Sequence, residues 1–187
     1  MARRKRPKTP IPPLSETLVF LVHAVKQFCF GFETMNDHAD EYEEGSAAMA
    51  FYMNAIYNHI VAFYLLDKEK NDPMGGSFHK ALKLHGLEDA LKPIREILES
   101  PVGSTTFGEV VRVFRNKVAV HTSYLDRDLD RIYEAADMHV PENVGRFHDL
   151  LLRTYQQTKL LPIALIERAG LDPADFGITV LPTECGE

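Results

Sequence analysis

The chain has 187 residues, a formal charge of −6, 45% hydrophobic and 26% charged residues, no tryptophan and two cysteines. This excludes a wholly disordered chain, and it excludes a disulfide-framework fold, because Cys29 and Cys185 are too few and too far apart. The length suits one domain that buries roughly two-thirds of its unfolded surface, and the sparse cysteine usage fits a reduced, cytoplasmic setting.

Charge divides the chain. Arg3, Arg4, Lys5, Arg6 and Lys8 are five of its 21 basic residues, which leaves 16 basic against 27 acidic residues and a charge of −11 for the remainder. So acidic a body argues against broad, sequence-blind nucleic-acid binding, which depends on a basic surface displacing phosphate counterions. With Pro7, Pro10, Pro12 and Pro13 mixed in, residues 1–13 read as a basic, proline-rich, solvated arm. They do not read as a secretory leader, since no clean apolar stretch with a small-residue cleavage site follows. Residues 14–170 read as a single helical-bundle domain and 171–187 as a C-terminal tail.

Apolar residues recur at three- and four-residue spacings nearly throughout, and no stretch gives a convincing period of two. A first helix opens at Ser15 and reaches about Asn36. The acidic cluster Asp37 to Glu44 leads into a second, most apolar helix ending near Lys68. Within it, residues 46–66 are uncharged over a length that could span a bilayer. Asn54, Asn58 and His59 would be costly in hydrocarbon, however, so a helix buried on several sides is expected and no membrane-spanning segment. Asn71-Asp72-Pro73 and Gly75-Gly76 make a loop. A third element, Phe78 to Glu99, divides at Gly86, and Ser100 to Ser104 is a break. Thr105 or Thr106 caps a fourth helix, with Glu109 in its first turn, that runs to about His121 or Tyr124. A short polar helix covers Asp126 to about Ala136. The last helix starts after Pro141 and reaches Ala169, with Val144, Phe147, Leu151, Thr158, Leu161 and Leu165 facing inward, a bend at Pro162 and a stop at Gly170. Five or six helices with short connections predict an all-α bundle.

Glycine-rich phosphate loops, paired zinc cysteines, a serine elbow and a His-Glu-x-x-His helix are all missing. The eight histidines lack metal-ligand spacing, so no metal and no cofactor is expected. Asp37, His38, Glu41 and Glu44 share a helical face but read as a solvated helix start. His79 and His85 read as surface residues in a lysine-rich stretch. Asn54 and Asn58, one turn apart, form a buried amide network or line a pocket.

The informative stretch is VVRVFRNKVAVHTSY, residues 110–124. Arg115-Asn116 followed by His121 is the chain's one Arg–His pair at this spacing. It resembles the Arg, four-to-six residues, His motif of the HEPN superfamily, which commonly has Asn, Asp or His directly after the arginine. The resemblance covers roughly residues 40–165 and implies a HEPN-like helical bundle. It also implies a metal-independent endoribonuclease of toxin–antitoxin or antiphage systems, a homodimer with its cleft at the subunit junction, RNA as substrate and an antitoxin protein as a further partner. The chemistry suits the residues. His121 can exchange a proton near neutral pH, Arg115 can grip two phosphate oxygens, and Asn116 can orient the 2′-hydroxyl or the imidazole. The products would carry 2′,3′-cyclic phosphate and 5′-hydroxyl ends. Lys117, Tyr124, Asn54 and Asn58 are peripheral candidates, and Tyr124 follows His121 by three positions where one branch of the family has a tyrosine at two.

A geometric condition attaches to this reading. Six residues of straight α-helix turn a side chain by about 600°, leaving Arg115 and His121 roughly 120° apart, so the helix must loosen or two copies must converge. The alternatives are a catalytically silent module that binds a nucleotide, RNA or protein, with Arg115 locked to Asp126 or Asp128, and a metal- or ligand-binding bundle enzyme.

Overall fold

The spacing of apolar residues decides the architecture. In the first helix Leu18, Leu21, Val22, Val25, Phe28, Cys29 and Phe32 recur at three and four residues and are buried along one side. The computed structural model describes residues 13–38, 41, 47–65, 78–116 and 127–178. Among these it is an all-α bundle of seven α-helices, α1 (Leu14–Asp37), α2 (Ala47–Ile60), α3 (Phe78–Leu84), α4 (Lys92–Leu98), α5 (Phe107–Phe114), α6 (Arg127–Ala136) and α7 (Pro141–Arg168). The long helix α7 packs against α1 and α4, α1 against α2, and α5 fits among α2, α4 and α6.

Aromatic rings join these layers. Phe63 stacks on Phe78 with centroids 4.1 Å apart, bringing the end of the second helix to α3, and Phe32 stacks on Tyr155 of α7 at 4.4 Å. Phe147 of α7 lies 5.3 Å from Phe107 and 6.0 Å from Phe114, which anchors both ends of α5. The Tyr64 hydroxyl is buried and bonds the Thr158 hydroxyl at 2.8 Å, satisfying two polar groups at once.

α1 is long and apolar enough to cross a membrane by length and composition. One side of it is nevertheless packed into the protein, while Val19, Phe20 and Phe30 on the other remain exposed.

Several boundaries differ from the sequence expectation, each for a local reason. In the second helix, regular α-helix gives way to a π-helical turn at Val61–Leu65, and the expected end near Lys68 lies outside the described residues. The break at 100–104 holds a small antiparallel hairpin, β1 (Pro101–Val102) and β2 (Thr105–Thr106), whose strands are too short to show a period of two. Gly103 sits at its tip with φ +58°, the left-handed conformation glycine tolerates. Ser104 donates from both its backbone N–H (2.7 Å) and its hydroxyl (3.0 Å) to the Ala135 carbonyl at the end of α6. The fourth predicted helix is α5, capped by Thr106, whose hydroxyl oxygen accepts from the Glu109 N–H at 3.3 Å. Its regular α-helical part ends at Phe114, residues 115–116 pass into a second π-helical turn, and the expected end at about His121 or Tyr124 lies outside the described residues. Beyond Gly170, where a tail was expected, Pro173–Phe176 makes a 3₁₀ turn, and Lys26 Nζ donates to the Gly177 carbonyl at 3.1 Å.

Candidate functional site

Arg115 stands where α5 gives way to the π-helical turn, a widening often found at functional positions. Its guanidinium is held from two sides. Nε donates to Asn58 Oδ1 of α2 at 2.9 Å, and Nη1 donates to Asn116 Oδ1 at 2.9 Å. Two of the predicted amide residues therefore converge on the predicted arginine across 57 positions of sequence. Both acceptors are neutral, so the arginine is positioned without losing its net charge. No carboxylate among the described residues pairs with it, and Asp128 in particular does not. Asp126 lies outside the described residues.

The local sequence builds this arrangement. Glu109 in the first turn of α5 takes Arg112 bidentately, with Nε–Oε2 at 3.0 Å and Nη2–Oε1 at 2.6 Å. That ion pair raises the pKa of Arg112 and occupies its cation one turn before Arg115. Val110, Val111 and Phe114 point into the core and fix the rotation of α5. Gly108 lets α5 lie close to α4, since a Cβ there would stand 3.1 Å from the Leu98 carbonyl oxygen.

Arg115 and Asn116 line a concavity of about 610 Å³ between α4, α5 and the Val61–Leu65 turn, whose floor includes Val61, Leu65 and Leu98. On the other side of Arg112 and Asn116, a second hollow of about 530 Å³ opens towards α6, with Asp128 and Arg131 at its edge. Asn116 thus stands at a ridge shared by two open concavities. Both volumes fall within the range of sites for small ligands.

The other candidates distribute differently. Lys117, His121 and Tyr124 lie outside the described residues. Asn54 does not join the Arg115 cluster, and its Oδ1 is buried with no hydrogen-bond partner among the described residues. His59 turns away from the site. Its Nδ1 donates to the Ala55 carbonyl at 2.6 Å, and its ring packs between Phe28 and Phe63. His85, expected at the surface, reaches Thr17 Oγ1 with Nε2 at 3.2 Å. His79, also expected there, lines the Arg115 concavity together with Arg95. Sequence reasoning missed both residues because their convergence depends on the packing of α3 and α4, and no local spacing announces it. Among the described residues no three histidine, cysteine, aspartate or glutamate side chains gather so that they could hold a metal ion.

Compared with protein-family models, with curated proteins and with solved structures, the chain finds no match.

Proposed function

We propose that this bundle is a HEPN-like, metal-independent endoribonuclease, acting as a cytoplasmic homodimer in a toxin–antitoxin or antiphage system. The observation that carries the reading is the state of Arg115: it keeps its charge, is aimed by two neutral amides, and borders an open concavity. An arginine built only for stability would normally be matched to a carboxylate. This one is preorganised for an anion that is not part of the fold.

The chemistry follows from the residue types. Arg115 grips the scissile phosphate and offsets the charge that develops on phosphorus. His121 takes the proton of the 2′-hydroxyl, and the 2′-oxygen forms its bond to phosphorus as the bond to the 5′-oxygen breaks. A second copy of the same histidine, brought by the dimer, protonates the departing 5′-oxygen. The products are a 2′,3′-cyclic phosphate and a 5′-hydroxyl. Asn116 divides its role between holding Arg115 and contacting the ribose.

The test is cleavage of mixed RNAs in excess EDTA by the wild type, Arg115→Gln and Asn116→Ala. Cutting by the wild type to cyclic-phosphate ends, reduced at least about a hundredfold in Arg115→Gln, supports the reading. Cutting with other end groups, or cutting unaffected by Arg115→Gln, refutes it. A folded wild type that cuts nothing points to the silent binding module.

A further inference from the structure

The first helix leaves one long side uncovered. Val19 and Phe20 of α1 are more than half exposed, and Phe30 is 72% exposed. At 100° per residue, Val19, Phe20, His23, Lys26, Gln27 and Phe30 fall within an arc of about 120°, opposite the buried Leu21, Val25, Phe28 and Phe32. The helix is long and apolar enough to cross a bilayer, but its other side is packed against α2 and α7. It can therefore meet lipid along its side and not across it. Lys26 Nζ donates to the Gly177 carbonyl at 3.1 Å, so a neutral acceptor holds the ammonium on this face with its charge intact. Beside Lys26 and Phe30 an open groove of about 390 Å³ lies between α1 and α7, with Val22, Val25, Pro162 and Ile163 in its lining. No residue of α1 lines the Arg115 concavity, so this face is separate from it.

What adjoins the face indicates its partner. The helix begins at Leu14, and the thirteen residues before it carry Arg3, Arg4, Lys5, Arg6 and Lys8 and no acidic residue. We propose that the exposed side of α1, with the basic arm at its N-terminus, docks on an anionic lipid bilayer. Val19, Phe20 and Phe30 enter the boundary between headgroups and acyl chains, while Lys26 and the arm meet the lipid phosphates and carboxylates. Stable attachment to a membrane surface takes two signals, and this chain sets an apolar helix face and a basic cluster side by side. The carboxylate within the arc, Glu16, stands at the arm end of the face, where the five cations outnumber it. A second copy of the chain suits the face less well, since it would bring two lysines and two basic arms to one interface. The chain outside its first eight residues carries a charge of −11, so attraction to the lipid is confined to this side and depends on the arm. None of this depends on the ribonuclease reading.

The experiment sediments the full chain with vesicles of phosphatidylcholine, alone or with about one-third phosphatidylserine, between about 50 and 200 mM salt. The expected result is binding to the phosphatidylserine vesicles that weakens as salt rises, with little or none to phosphatidylcholine alone. Phe20→Ser and Phe30→Ser change exposed positions, so their melting temperatures should stay close to wild type, while each weakens binding about tenfold. Combining Arg3→Ser, Arg4→Ser, Lys5→Ser and Arg6→Ser weakens it at least about tenfold and flattens its salt dependence. Because the chain has no tryptophan, Phe30→Trp supplies a single reporter, whose emission should shift to the blue on phosphatidylserine vesicles and be quenched by brominated acyl chains. Failure of the wild type to bind phosphatidylserine vesicles overturns the proposal. Binding that is unchanged in Phe20→Ser and Phe30→Ser, or an unshifted Phe30→Trp emission in the bound protein, means that the arm alone adsorbs and overturns the docking of α1. A concentration-dependent dimer that Phe30→Ser disrupts, without vesicle binding, gives the face to a second copy and overturns the lipid assignment.

Discussion

Asn58→Asp is the most informative single change, because it alters the charge of the site while leaving its shape. The Asn58 carboxamide oxygen lies 2.9 Å from Arg115 Nε, and aspartate places an isosteric carboxylate oxygen there. Two unit charges about 4 Å apart attract by roughly 4 kcal/mol at an effective dielectric near 20. Desolvating the carboxylate at this half-buried position opposes much of that gain, so net stability should stay within about 1 kcal/mol of wild type, a melting shift of about 2–4 °C at most. Under the proposed ribonuclease reading the same attraction acts against catalysis: the guanidinium is neutralised and a phosphate would no longer gain by approaching it. Losing a preorganised electrostatic contact of this kind costs about 10²–10³ in rate. The expected result is a folded protein whose kcat/KM for RNA falls at least about a hundredfold. Asn58→Ala, which removes the tether and leaves the charge, should lose about 1 kcal/mol of stability and only about tenfold in activity. The assay is paired, with a thermal melt and initial cleavage rates on the same preparations. Asn58→Asp cutting as fast as wild type would refute the claim that the charge of Arg115 is used. An unfolded Asn58→Asp would contradict the placement of the pair.

Other expectations follow from the packing. Gly103→Ala should destabilise the protein by about 2 kcal/mol or more in urea unfolding, since the residue has φ +58° and a Cβ would lie 2.5 Å from the Ala135 carbonyl oxygen; a loss below about 0.5 kcal/mol would contradict the hairpin geometry. The Tyr155 hydroxyl, and after it the Lys159 ammonium, hold the Glu33 carboxyl below its ordinary value near 4.5. Stability from this group is therefore present above that value and fades as pH falls through the lowered one. Glu33→Gln should flatten that acid limb, by at most about 1 kcal/mol because the cluster is largely exposed; an acid limb identical to wild type would remove this cluster from the account. Burial, with Glu33 adding to it, pushes the Cys29 thiol up to about 11, so iodoacetamide at pH 8 should label it far more slowly than a free cysteine. Fast labelling under native conditions would contradict its burial.

The helical class was legible because α1 and α7 carry long, regular apolar stripes. Phe147, Leu151, Thr158, Leu161 and Leu165 were expected inward and are buried. The division of the third element at Gly86 also follows from its sequence, the glycine having φ +67° between α3 and the 3₁₀ turn Glu88–Leu91. The π-helical turns were not legible, because inserting one residue per turn leaves the apolar composition unchanged and alters only its phase. The site was legible in part. Arg115, Asn116 and Asn58 were singled out by residue type and spacing, but their convergence is a contact between α2 and the end of α5 that no local pattern encodes.

The central claim is that the chain cuts RNA through His121 without a metal. Its most direct test compares wild type and His121→Ala on mixed RNAs in excess EDTA. The account predicts cutting by wild type alone, leaving 2′,3′-cyclic phosphate ends, with both proteins equally folded. Cutting that survives the substitution would contradict it.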